Sequence, residues 1–151
     1  NVWFGGSETG DAVADVLFGK VAPSGKLTTT FPRSVGQLPL FYNHLNTGRP
    51  DPDNRIFNRY ASNYLDESNE PLYPFGYGLS YTDFVYGELQ ISSETLPKNG
   101  ELTVSVTVTN KGNYDGYETV QLYLHDIYAE IARPVKELKV AMLSLLLRKM
   151  T

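Results

Sequence analysis

The chain has 151 residues, 41% of them hydrophobic, which is enough apolar side chain for a core and excludes a disordered polypeptide. With 13 Lys and Arg against 17 Asp and Glu, its formal charge of -4 argues against a phosphate-binding surface, so neutral or polar partners are expected rather than nucleic acid. Cysteine is absent, which excludes disulfide frameworks, zinc-thiolate sites and thiol nucleophiles, and no apolar run reaches the ~18 to 20 residues of a bilayer-spanning helix, so no membrane partner is expected.

The chain opens on Asn1 with no charged-then-apolar leader, and a processed chain or a piece of a longer one is expected. Residues 2–20, "VWFGGSETGDAVADVLFGK", read as strand, turn and helix. Ser7 or Thr9 can cap the helix, Asp11 sits in its first turn where the dipole favours an anion, and Gly19 stands where a left-handed C-terminal residue is usual. Ala12, Val13, Val16 and Leu17 form its apolar face. A turn, "APSGK", leads to a second strand over 27–31, closed by Pro32. A strand-helix-strand unit is the basic parallel α/β element, but two strands are not a stable sheet, so further strands should complete it.

From residue 39 to 81 periodicity vanishes and Pro, Asn, Asp, Gly and Tyr dominate, which reads as a long linker or functional loop. Its end, "PLYPFGYGLSYTDF" at 71–84, carries five rings, Tyr73, Phe75, Tyr77, Tyr81 and Phe84. A flat apolar ring with a polar tip suits both a sugar platform and a packed joint, and the position between two patterned regions favours the joint. Period-two alternation follows. In "LTVSVTVTN", Leu102, Val104, Val106 and Val108 share one face while Thr103, Ser105, Thr107 and Thr109 share the other. Strands are expected over 84–91, 102–109, 118–125 and 135–140, with Gly87 as a bulge that resets the register of the first. Their spacing resembles that of an antiparallel sandwich of immunoglobulin or fibronectin type, which takes about seven strands, so this one is incomplete. The final stretch, "VAMLSLLLRKMT" at 140–151, lacks the turn residues that punctuate the preceding strands.

Three stretches in order, "GDAVADVLFGKVAPSGKLTTTFPRSVGQLPLFYNHLNTGRP", "EPLYPFGYGLSYTDF" and "ETVQLYLHD" followed by "RPVKELK", resemble the C-terminal part of family 3 glycoside hydrolases, whose common members are β-glucosidases and β-xylosidases. The resemblance implies a mixed fold. Residues 1–38 would be the last element of an α/β sandwich domain, 39–83 a linker and aromatic joint, 84–139 an incomplete fibronectin type III-like β-sandwich, and 140–151 an atypical tail. It implies a retaining hydrolase of terminal β-linked sugars, periplasmic or secreted, whose nucleophile and acid/base lie upstream of Asn1. The chain would then support the active site without carrying its carboxylates, together with the missing catalytic domains. The other readings are a non-catalytic structural or carbohydrate-binding module and an inactive truncated gene product.

Within the chain, "YNHLNTGRP" offers the best substrate contacts, because Tyr42, Asn43, His44, Asn46 and Arg49 supply the donors and acceptors that sugar hydroxyls need. A polar loop can equally be solvated turn chemistry. Glu8 is a further candidate, beside Gly5 and Gly6 just past an expected strand end, where open α/β sheets place ligands. Glu8, Asp11 and Asp15 together read as helix-dipole partners. His44 and His125 are too few and too far apart in sequence for a metal centre, and no cofactor is expected. A half sandwich would leave the face of Val104, Val106, Val108, Val120, Leu122 and Leu124 uncovered, open to the tail or to self-association.

Overall fold

The computed structural model of the chain describes residues 1–50 and 59–148; residues 51–58 of the expected linker and 149–151 of the expected tail lie outside that description. Two compact units result. Unit 1 combines Asn1–Ser24, Leu79–Glu118 and the chain from Leu143 onward; unit 2 combines Gly25–Gly78 with Thr119–Met142.

Unit 1 contains the helix α1 (Thr9–Leu17). Glu8 occupies its N-cap without a side-chain capping bond, in place of the expected Ser7 or Thr9. Thr9 is already helical, and its hydroxyl turns back to donate to the Gly6 carbonyl at 2.6 Å. The C-terminal end follows the sequence: Gly19 has φ +74, and its N–H donates to the Val16 carbonyl at 3.0 Å. The Tyr81 hydroxyl donates to the same carbonyl at 2.8 Å, so one ring of the aromatic stretch closes the helix end. Of the expected apolar face, Val13 and Val16 are half-buried, whereas Ala12 and Leu17 are exposed, Leu17 at 72%.

Neither strand expected to flank α1 forms. Trp3 has φ +45, in the left-handed region, which is incompatible with extended backbone. Residues 27–31 instead lie beside 72–77 in unit 2. Leu27 N–H donates to the Tyr77 carbonyl and Gly76 N–H to the Leu27 carbonyl, both at 2.8 Å, and Phe31 exchanges bonds with Tyr73 in an isolated bridge. Pro74 has no N–H to give, so the ladder breaks and the segment falls short of a strand.

The later strands appear with their boundaries redrawn. β1 (Phe84–Tyr86) pairs antiparallel with β4 (Val108–Asn110), and β2 (Gln90–Ile91) with β3 (Val104–Ser105). Tyr86 faces Val108 and Gln90 faces Ser105, so residues 87–89 stand opposite only 106–107. That extra residue is the expected bulge, and Gly87 N–H opens it by donating to the Thr107 carbonyl at 2.8 Å. β5 (Gly116–Leu124) and β6 (Glu137–Leu146) form a third two-stranded sheet, and β6 runs well past the expected end at residue 140. Alternation survives in burial: Val104, Val106 and Val108 are half-buried while Thr103, Ser105 and Thr107 are exposed.

Among the described residues no hydrophobic side chain is fully buried; the buried side chains are Gln37, Thr82, Asn110 and Glu118, all polar. Asn110, 2% exposed, accepts from the Thr82 hydroxyl at 2.7 Å and Gly112 N–H at 3.0 Å, and donates to the carbonyls of Tyr114 at 2.7 Å and Leu146 at 3.1 Å. Every polar atom of that amide is matched, as burial of an amide requires.

Candidate functional site

Unit 2 holds an open depression of about 750 Å³. One wall comes from residues 42–46, anchored by backbone: Val135 N–H donates to the His44 carbonyl at 2.9 Å, and Leu45 bridges Pro134. Tyr42 is fixed by its ring, stacked on Phe75 with centroids 4.1 Å apart and meeting Tyr123 edge-on at 6.0 Å. Lys136 completes that side, its ammonium 5.8 Å from the Tyr123 ring centre. Burial first and the Tyr42 phenol second push the Tyr123 hydroxyl above its ordinary pKa, so it stays a protonated donor and gives its hydrogen to Gln121 at 2.9 Å. Gly76 allows this close approach: with φ +81, a Cβ there would lie 2.6 Å from the Tyr123 hydroxyl.

The opposite wall is residues 62–70. Asn69 accepts from Tyr64 N–H at 3.3 Å and donates to the Ser62 carbonyl at 3.1 Å, folding the segment on itself. Ser62, Asn63, Tyr64, Asn69 and Glu70 all line the depression.

Of the residues picked out by sequence, Tyr42, His44 and Asn46 line the cavity, while Asn43 and Arg49 do not. The backbone carbonyl of Arg49 accepts from Ser62 N–H at 2.7 Å. Glu8 belongs to unit 1, exposed at the start of α1. His44 Nδ1 lies 2.9 Å from the Leu45 carbonyl; a carbonyl can only accept, so Nδ1 carries the proton and Nε2 is the acceptor in the neutral ring. The opposite wall was missed by sequence reasoning, although "YLDESNEP" repeats the tyrosine, amide and proline mixture of 42–50 that marks the first wall.

Among the described residues lining the cavity, Glu70 and Lys136 are the charged ones, one of each sign. Tyrosines, amides and hydroxyls around that balanced pair suit a neutral, hydroxyl-rich ligand. Retaining glycoside hydrolysis needs two carboxyls about 5 to 5.5 Å apart, and among the described residues lining this cavity Glu70 is the one carboxylate. Among the described residues no cluster of three or more His, Asp or Glu is placed to hold a metal ion.

Residues 1–81 match the profile of the glycosyl hydrolase family 3 C-terminal domain. The chain is 56% identical to a periplasmic β-glucosidase of Salmonella typhimurium, covering 91% of this chain and 18% of that protein. It is 47% identical to a β-xylosidase of Formosa agariphila over the same shares of the two chains. The crystal structure of a β-glucosidase from Listeria innocua in complex with glucose matches with a TM-score of 0.86 and 48% identity, over 97% of this chain and 20% of that one. The chain thus spans about a fifth of the length of the relatives it matches.

Proposed function

Because this chain belongs to the glycosyl hydrolase family 3 C-terminal domain family, we propose that it acts as the non-catalytic, substrate-supporting part of a β-glucosidase-like glycoside hydrolase. The hydrolase would remove terminal β-linked sugars with retention, its nucleophile and acid/base lying in the four-fifths of the relatives' length outside this chain's span. Residues 1–38 would close an α/β sandwich domain, 39–83 form the joint, and 84–139 take up a fibronectin type III-like arrangement. A periplasmic or secreted setting is supported by the name of the Salmonella relative.

The observation that carries the reading is the cavity of unit 2, where Tyr42, His44 and Asn46 present a ring face, an imidazole acceptor and an amide to one neutral space. Asn43 and Arg49 of the same loop and Glu8 of unit 1 are not among its lining residues. Titrating the purified chain with cellobiose by calorimetry tests this. Saturable binding is expected, weakened about five-fold by His44→Ala and by Asn46→Ala, the effect of one neutral hydrogen bond of about 1 kcal/mol, and unchanged by Glu8→Gln. Absence of saturable binding, or equal effects of all three substitutions, would contradict it.

A further inference from the structure

Gln37 is the most deeply buried side chain described, at 1% exposure, and is not among the residues lining the depression of unit 2. It is the last residue of a short 3₁₀ turn, Val35–Gln37. Its Oε1 accepts from Arg33 N–H, and its Nε2 donates to two carbonyls of the wall, Ser68 at 2.7 Å and Glu70 at 3.2 Å. Its own carbonyl accepts from the Tyr64 hydroxyl at 3.0 Å, and Arg33 Nε adds a bond to the Glu70 carbonyl at 3.1 Å. The side-chain amide of Gln37 thus holds the Ser68–Glu70 end of the segment while its main-chain carbonyl holds the Tyr64 hydroxyl, and the segment between folds through Asn69.

We infer that Gln37 is the positioning residue of the saccharide cavity, setting the distance of the 62–70 wall from the Tyr42 and His44 wall without touching the ligand. The inference rests on the saccharide reading for its ligand, but the clasp can be examined without sugar. The wall has no regular secondary structure, so beside the backbone bond of Ser62 N–H to Arg49 the side chains that reach it help to fix its position. A glutamine suits the task, since the carbonyls of Ser68 and Glu70 need donors and Arg33 N–H needs an acceptor. Only a primary amide of this length supplies both from one side chain.

Gln37→Met keeps the length and removes the three side-chain bonds. Asn110→Ala, in unit 1, serves as a destabilised control remote from the cavity wall in its bonding. In Gln37→Met, amide exchange of Tyr64 and Glu70 should accelerate on the order of ten-fold more than that of residues in β1 and β4, and cellobiose affinity should fall on the order of ten-fold. Asn110→Ala should lower the melting temperature with affinity held within about two-fold. Gln37→Glu has the acceptor but gains a donor only when protonated, so its affinity relative to the unsubstituted chain should recover as pH falls towards the carboxyl pKa, with Arg33 and Glu70 the charged neighbours. Unchanged exchange in Gln37→Met overturns the inference, as do equal affinity losses in Gln37→Met and Asn110→Ala. If the unsubstituted chain binds no cellobiose, the saccharide reading falls, and the exchange comparison still decides the clasp.

Discussion

The Tyr86 hydroxyl donates to Glu118 Oε1 at 2.8 Å, and Glu118 is a carboxylate only 7% exposed. Burial, then the hydrogen bond and the charge of Glu118, push the phenol up to about 12 from its ordinary 10.0. A folded-state pKa above the unfolded value means that the unfolded chain releases its proton first as pH rises. The stabilisation is therefore complete below pH 10 and is lost between about 10 and 12. Denaturation midpoints of the chain should fall more steeply across that window than those of Tyr86→Phe, and parallel curves would contradict the pairing. Nothing in the sequence marks this pair, since Tyr86 and Glu118 are 32 residues apart and stand on strands, β1 and β5, that pair with other partners. Asn110 closes the alternating stretch "LTVSVTVTN" without any sign of its role, because a strand-end asparagine that faces water and one that folds inward look alike in sequence.

Elements were legible where their partners lie near in the chain. The alternation of residues 102–109 and the bulge at Gly87 could be read because β1 to β4 pair with one another. The strands expected at 2–4 and 27–31 failed because a strand needs a neighbouring ladder, and residues 27–31 found the proline-interrupted stretch 72–77 instead. The unpunctuated run at 140–147 concealed the continuation of β6, whose end is fastened at two points. The Leu146 carbonyl accepts from Asn110 Nδ2 at 3.1 Å, and Arg148 N–H donates to Asp115 at 2.7 Å. Removing residues 143–151 and replacing Asn110 by Ala delete one shared bond. Each change should cost roughly 1–3 kcal/mol, and together they should cost less than their sum. Urea unfolding of the four chains in that cycle checks it, and strict additivity would show that Asn110 and the end of β6 are not coupled.

For the whole molecule the decisive quantity is area. The accessible surface is 12171 Å², against about 7,700 Å² for a folded monomer of this length. Phe4, Phe18, Tyr128 and Leu147 are among the large apolar side chains left exposed. The chain spans 18% of the length of its Salmonella relative, and among the described residues it buries polar rather than apolar side chains. The loop at 42–50, part of which lines the cavity, stood out by its residue types, whereas residues 62–70 did not, because they are held by bonds to Gln37 from far away in the chain. The most direct measurement is hydrolysis of an aryl β-glucoside by the purified chain, alone and with a separately produced hydrolase polypeptide comprising the remaining length of a close relative. No turnover by the chain alone, and turnover on mixing that exceeds that of the larger polypeptide by itself, is the predicted result. Turnover by the chain alone that is abolished by Glu70→Gln would contradict the account.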